Sequence, residues 1–374
     1  MIESPETKVN PDVLKTLRES SGYTVEETAR KIKATVTKVQ EAEKGIASFT
    51  LTQIKKLADI YHRSLAAFFT DTLPAMPALT DFRINREKRL TPQVYIAERR
   101  AYYIANKLAE LTDKRSQIPD FSETLKPDEL AREFRNYLKV NLLKSKKPEE
   151  LLTHYKQVLE EKLLISIIEL PLKAEDVRGF SVSADISIVV LNEEDNPSIK
   201  LFSLFHEIYH LIKRTSGICS IEIEQKDGDI EASCNLFSAE FLVPLDDFKE
   251  ECKKFLQLDE STVSELSKIY GVSKQVFMIR LLWFGYMPKE RYEQFTREGE
   301  KKLKGRKFGR RDWDKVFQNR VGNLVIREAS NAYRSGKISY SEVMDILSLK
   351  AKYTEKFVEI KTFASITTFL PSTT

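Results

Sequence analysis

Histidine and cysteine are the scarce residues of this 374-residue chain, with four and three copies. Three cysteines cannot build a disulfide framework over this length, and reduced thiols fit the cytosol, so a cytoplasmic protein is expected. No apolar run approaches the roughly 18–20 residues that a membrane span needs. The N-terminal MIESPETKVN has no apolar core, which argues against a secretory signal. An excess of one charge is also missing: 60 Lys+Arg oppose 56 Asp+Glu, a formal net charge of +4. That is too little to diagnose a nucleic-acid partner from the whole chain, so DNA binding would have to come from a local patch. There is no internal repeat and no long low-complexity segment. What is present is a globular composition, 41% hydrophobic and 31% charged, at a length that suggests two or three domains.

Residues 12–71 read as short helices. Val13, Leu14 and Leu17 recur at helical spacing and stop at Gly22. Thr24 with Glu27 forms a capping box for a second helix through Ala29 and Ile32. Thr35 caps a third, carrying Val36, Val39 and Ala42 and ending at Gly45. Thr50 with Gln53 opens a fourth, and Leu65, Phe68 and Phe69 suggest a fifth. The run Leu73-Pro74-Ala75-Met76-Pro77 reads as a linker. Helical patterns return over 94–112, 127–138 and 148–162. Leu164–Ile168 and Ile186–Leu191 are β-branched runs bounded by turn residues, so a small sheet is expected. Helices resume over 198–213 and 230–242, with at least two more in 256–286 and two at 321–333 and 340–349.

Two of the four histidines fall in His206-Glu207-Ile208-Tyr209-His210. The flanks, Leu201-Phe202-Ser203-Leu204-Phe205 and Leu211-Ile212, are apolar almost all round, which predicts a buried helix. Positions i and i+4 share one helix face, so both imidazoles can reach one metal ion. Glu207 lies beside the first of them and can reach a metal-bound water as general base. Zinc lowers the pKa of that water from 15.7 to about 7 and polarises a peptide carbonyl.

A catalytic zinc needs a third protein ligand and an open position. The long motif HExxHxxGxxH would supply another histidine, but Lys213 and Ser216 stand at its Gly and His positions. His62 and His154 lie far off in other helical segments and read as structural. A carboxylate or thiolate is left, and the downstream candidates are Cys219, Glu222, Glu224, Asp227, Asp229, Glu231, Cys234 and Glu240. Glu231 is the choice. It stands at the edge of the stripe formed by Ile230, Cys234, Phe237 and Phe241, on a second buried helix about twenty residues after the pair. Asn235, one turn on, is placed to hold its carboxylate. Cys234 is read as a small packed hydrophobe.

These residues resemble a family. Leu204-Phe205-His206-Glu207-Ile208-Tyr209-His210, followed by Glu231-Ala232-Ser233-Cys234-Asn235-Leu236-Phe237-Ser238-Ala239-Glu240-Phe241-Leu242-Val243-Pro244, is similar to the ImmA/IrrE-type metallopeptidases, whose pattern is a buried HExxH and then ExxANxFAxxLLxP. Cys234 stands for the usual Ala, Ser238 for Ala, and Phe241 and Val243 for Leu and Met. The resemblance also implies Glu231 as third ligand. It extends to Gly179-Phe180-Ser181 and the 186–191 strand, with weaker echoes at Thr80-Asp81-Phe82-Arg83 and at Val272-Ser273 and Arg280-Leu281. Members often carry an N-terminal DNA-binding module or lie beside a repressor that they cleave.

Residues 12–71 resemble such a module, the Xre/Cro type of helix-turn-helix. The matching text is Leu17-Arg18-Glu19, Gly22-Tyr23-Thr24, Ala29, Thr35, Val39, Glu43-Lys44-Gly45 and Leu57-Ala58. The third helix would enter the major groove, presenting Thr35, Thr37, Lys38, Gln40, Glu41 and Lys44. Val25 replaces the usual Gln after the cap, and Glu41 repels phosphate unless it meets a cytosine amino group. The basic run Lys301–Arg311 reads as a solvated linker.

The expected fold is α+β and mostly helical. A five-helix helix-turn-helix domain over 10–72 is joined by a linker, 73–92, to a zincin-like metallopeptidase domain with a small sheet, 93–290. C-terminal helices follow over 291–374, covering the peptidase or sensing a signal. The expected function is a DNA-binding transcriptional regulator fused to a zinc (Zn2+) endopeptidase acting in a stress response. It would bind operator DNA, as a homodimer, and cleave a repressor or antitoxin-like protein, with no membrane partner. The alternative is a regulator or antitoxin that does not cleave, whose zinc is structural or sensory; an interaction protein with a degenerate site is a third reading.

Overall fold

The computed structural model describes residues 6–72, 90–174, 177–215, 218–219, 230–255, 259–283, 285–288, 290–292 and 312–349. It is mostly helical with small sheets. The chain divides into two compact units. One comprises 1–80, 85–100 and 171–175; the other comprises 81–84, 101–170 and 176–374. Among the described residues no helix is long and apolar enough to cross a membrane.

The first unit holds β1 (Glu6–Thr7), α1 (Pro11–Glu19), α2 (Val25–Ile32), α3 (Val36–Ala42), β2 (Phe49–Thr50), α4 (Leu51–Tyr61) and a 3-10 turn, Leu65–Phe69. β1 and β2 pair antiparallel. Both capping boxes form: Thr24 and Glu27 satisfy each other's backbone N–H at the start of α2, and Thr50 and Gln53 do so at α4. α2 ends at Lys33, whose φ of 57° turns the chain toward the Thr35 cap of α3, so α2 and α3 form a helix, a turn and a helix. Leu14, Leu17, Ile32, Val39, Ile54, Leu57 and Phe68 fill the core. Arg18 lies across it in a bidentate ion pair with Glu43, 2.6 and 2.9 Å, and donates to the Tyr23 carbonyl, so a buried guanidinium ties α1 to the end of α3. Gly22 has φ +70°, and an added Cβ would sit 2.3 Å from the Tyr95 ring, so only glycine fits this turn. His62 caps α4 with φ 50°, in the structural role expected of it.

A long helix, α5 (Pro92–Thr112), leads on to α6 (Pro127–Leu138) and α7 (Pro148–Leu163). The second unit then builds a sheet from β3 (Ser166–Leu170), β4 (Gly179–Val182), β5 (Ile188–Asn192) and β6 (Ile218–Cys219) in the order β3-β5-β4-β6. β3 and β5 run parallel, with Ser166 opposite Ile188; β4 is antiparallel to both of its neighbours. α8 (Pro197–Ile212) packs on β4 and β5, and α9 (Ile230–Leu242) packs along α8. Every residue of α8 from Lys200 to Leu211 is buried, as its apolar text predicts. Phe205 on α8 stacks on Phe241 on α9 at 3.9 Å between ring centres, and Tyr155 and Phe134 close around them. α10 (Leu245–Cys252), α11 (Glu260–Tyr270) and α12 (Lys274–Trp283) complete this core.

Two buried charge groups brace the frame. Glu169 on β3 accepts from Lys156 on α7 and from Lys200 on α8, the latter at 2.6 Å. Arg280 on α12 pairs with Glu240 and donates to the Val243 carbonyl, which fixes the C-terminal end of α9. The C-terminal helices α13 (Trp313–Val321), α14 (Asn323–Arg334) and α15 (Tyr340–Leu347) end the described chain. α13 and α14 pack on β3, the outer strand, with Gly322 pressed against Ile167 and Ile168, so they cover a sheet edge that would otherwise offer unpaired backbone. α10 and α13 have no counterpart in the sequence reading. The 73–89 part of the linker, the Thr80–Arg83 echo and the basic run 301–311 lie outside the described residues.

Candidate metal centre

α8 and α9 meet where the two histidines and Glu231 face one another. Nε2 of His206 lies 3.2 Å from Oε2 of Glu231, and Nε2 of His210 lies 3.5 Å from Oε1. The i and i+4 spacing puts the imidazoles on one helix face, 5.2 Å between ring centres. Each ring is oriented through its other nitrogen: Nδ1 of His206 contacts Asn235 Oδ1 at 3.0 Å, and Nδ1 of His210 contacts Thr215 Oγ1 at 3.0 Å. A ring whose Nδ1 donates to an amide oxygen keeps a lone pair on Nε2. In His206 that lone pair would face a carboxylate, and Nε2 is buried without hydrogen-bond geometry to any described residue. A proton on Nε2, or a metal ion between the two atoms, makes this contact favourable. The titration of His206 carries the same preference. Burial, the largest influence, disfavours its cationic form, yet Glu231 and Glu207 outweigh burial and raise its pKa.

The donor spacing suits a tetrahedral divalent ion. Zinc with nitrogen, oxygen and sulfur ligands at about 2.0–2.3 Å needs donor-to-donor edges of roughly 3.3–3.6 Å. The contacts here are 3.2 Å from His206 to Oε2 of Glu231, 3.5 Å from His210 to its other oxygen, Oε1, and 3.2 Å from His210 to Cys234 Sγ. Asn235 therefore holds His206, not the Glu231 carboxylate that the sequence reading gave it. Cys234 is packed in the core as expected, but its sulfur also falls among the donors, within 4.8 Å of the histidine ligand atoms.

Glu207 stands beside this cluster on α8, 1% exposed. Burial pushes its pKa up to about 8, opposed by His206 and by the nearby Ser181 hydroxyl. Neither that hydroxyl oxygen nor Glu207 Oε2 makes a geometrically sound hydrogen bond with a described residue. Burial thus favours the protonated, neutral form of this side chain until a cation lies beside it. Gly179 on β4 lets this strand lie close on β5: an added Cβ would meet the Val190 carbonyl at 2.7 Å, while Glu207 Cγ, at 3.7 Å, would be in ordinary contact.

Residues 160–282 match the family model of the IrrE N-terminal-like domain, Peptidase_M78. The match runs from the end of α7 to α12 and so includes the whole sheet, α8, α9 and every residue of the centre. No curated protein matches the chain. The solved structure of PlcR from Bacillus thuringiensis, in complex with the peptide PapR7 and DNA, aligns over 96% of this chain and 99% of its own at 13% identity. Its TM-score of 0.16 carries no argument.

Glu240 is engaged with Arg280 and with the Leu245 N–H, away from the centre. Glu222, Glu224, Asp227, Asp229 and the side chain of Cys219 lie outside the described residues. His154 is exposed on α7 against Tyr155. Sequence reasoning missed Thr215 and Ser181. Thr215 follows the end of α8 with no pattern to mark it, and Ser181 reaches Glu207 only because β4 lies on α8.

On α3, Thr35, Thr37, Gln40 and Lys44 are exposed and Lys38 and Glu41 half-buried, while Val39 and Ala42 face the core. The Thr35 hydroxyl accepts from the Lys38 N–H at 3.1 Å as the helix cap, and the Lys38 ammonium pairs with Glu6 at 3.3 Å. Thr37, Gln40 and Lys44 thus form the most available outward set.

Proposed function

We propose that His206, His210 and Glu231 hold a zinc ion and that Glu207 acts as general base in the hydrolysis of a peptide bond. The single observation that carries this is the convergence of His206 Nε2 and His210 Nε2 on the Glu231 carboxylate, at 3.2 and 3.5 Å, in a buried site. When bound, zinc supplies an acidified water and a polarised carbonyl. The chain does the rest. Asn235 and Thr215 fix the tautomers and planes of the two rings. Glu207, with its pKa raised to about 8 by burial, takes a proton at Oε2 and can return it to the leaving amine. The apolar surroundings of α8 keep bulk water from screening these charges.

The N-terminal unit is read as the part that binds operator DNA through α3, as a homodimer, in a cytoplasmic stress regulator. The substrate is then a repressor or antitoxin-like protein gathered at the same locus. The test is to incubate the zinc-loaded chain with the repressor-sized proteins encoded beside its gene and read cut sites by mass spectrometry. Cleavage is expected, and Glu207→Ala should keep zinc and lower the rate by roughly 10²–10⁴-fold. Undiminished cleavage by that variant would sink the mechanism. A second reading, regulation without cleavage around a structural or sensory zinc, is favoured by one observation: a thiol lies among the donors.

A further inference from the structure

We propose that Cys234 is a further metal donor that competes with the hydrolytic water for one position, slowing cleavage without abolishing it. This rests on the reading of His206, His210 and Glu231 as metal ligands and deepens it. Cys234 follows Glu231 by three residues on α9, so both project from one helix face toward α8. Its Sγ lies 3.2 Å from Nε2 of His210, the same atom that lies 3.5 Å from Glu231. The second observation is His206, 1% exposed, with its Nε2 aimed into the same space and no hydrogen bond from it to any described residue. The ligand atoms of His206, His210 and Cys234 thus lie within 4.8 Å of one another, and the Glu231 carboxylate approaches the two imidazoles at 3.2 and 3.5 Å through its two oxygens.

The consequence follows from coordination number. Zinc has no d-electron preference for geometry, and a closed set of four protein ligands marks structural sites, whereas catalytic sites keep three ligands and water. As the sulfur–metal bond forms, the thiol proton leaves to the buffer. A water can then enter only by displacing the sulfur or by raising the coordination number to five. Cys234 therefore sets how often the same His-His-Glu set is open to water.

The test uses the full chain, reduced, with cobalt(II) in place of zinc. A thiolate bound to cobalt gives a near-ultraviolet charge-transfer band that nitrogen and oxygen ligands do not. The band is expected in the wild type and in Cys252→Ala, and it should be lost in Cys234→Ala and Cys234→Ser while cobalt still binds. X-ray absorption of the zinc-loaded wild type should also show a sulfur shell at about 2.3 Å, a readout that needs no variant to fold. Cobalt bound without the band, or a band that survives Cys234→Ala, would overturn the proposal and leave the three-ligand site standing. Failure of the wild type to bind cobalt or zinc at all would remove both.

Discussion

Two helices carry the functional readings, and they place their polar groups in opposite surroundings. α8 is buried along nearly its whole length, yet it holds two imidazoles and a carboxylate. α3 is short, and its candidate residues are on or near the surface. Burying a charge or an unmade hydrogen bond costs several kcal/mol, so polar groups inside an apolar helix need a task. Surface polar groups need none, because solvent satisfies them. The same residue types therefore argue strongly on α8 and weakly on α3. Substitutions at buried polar positions should consequently be expensive, and those on α3 should be felt only when DNA is present.

The largest effect is expected at the buried charges behind α8. Glu169→Gln strands the ammoniums of Lys156 and Lys200, and Lys200→Met leaves Glu169 with one partner. Breaking a buried ion pair costs about 3–5 kcal/mol, and Glu169→Gln should fall at the upper end. Chemical denaturation at neutral pH measures both. The pH dependence has a definite sign. Burial, the largest influence on Glu169, raises its pKa, but the two lysines outweigh it and hold the folded value below the ordinary range. Its stabilisation is full above the unfolded pKa of about 4.3 and is lost as pH falls below that toward the folded value. Glu169→Gln should lack this part of the acid destabilisation. An unchanged acid limb would show that α8 is not braced by this carboxylate.

Next in size is Asn235→Ala. The variant removes the group that fixes His206, so zinc affinity should fall roughly 10–100-fold, measured by competition with a chromophoric chelator. Glu231→Ala should fall further, since it removes a donor. Equal affinities in Asn235→Ala and wild type would mean that packing alone sets the ring. Smaller again is Thr35→Ala. Its hydroxyl caps α3, so thermal unfolding of the first unit should register about 1 kcal/mol, and any loss of DNA binding should be corrected for that.

How much of this was legible in the sequence follows the same division. The capping boxes at Thr24 and Thr50, the buried run around His206 and the α9 stripe are local patterns, and each matches the element it predicts. The misses are long-range. Ser181 meets Glu207, and Thr215 meets His210, only after β4 and the end of α8 are packed. Cys234 reads as core by its hydrophobicity and is core; that its sulfur also faces His210 depends on the rotation of α9 about its axis, which spacing does not specify. β4 is four residues long and carries Gly179, so it lacks the β-branched run that marks β3 and β5. Leu245–Cys252 is opened by Pro244 with no side-chain cap, which left α10 without a start signal.

The smallest effect, and the one that tests the weaker side of the comparison, is on α3. Lys44 is exposed near the end of the helix, while Lys38 is paired with Glu6. If both merely neutralised phosphates in a complex, each would contribute about one unit to the salt dependence of DNA binding. Lys38 must first give up its carboxylate, which returns part of that gain. Lys44→Ala should therefore lower the slope of log affinity against log salt by about one, and Lys38→Ala by less. Glu6→Gln should raise affinity slightly by releasing Lys38. Fluorescence anisotropy with a duplex from the chain's own promoter, at several salt concentrations, measures all three. If none of them changes the slope, α3 does not meet phosphate, and the surface polarity of that helix is only the ordinary dress of a solvated face.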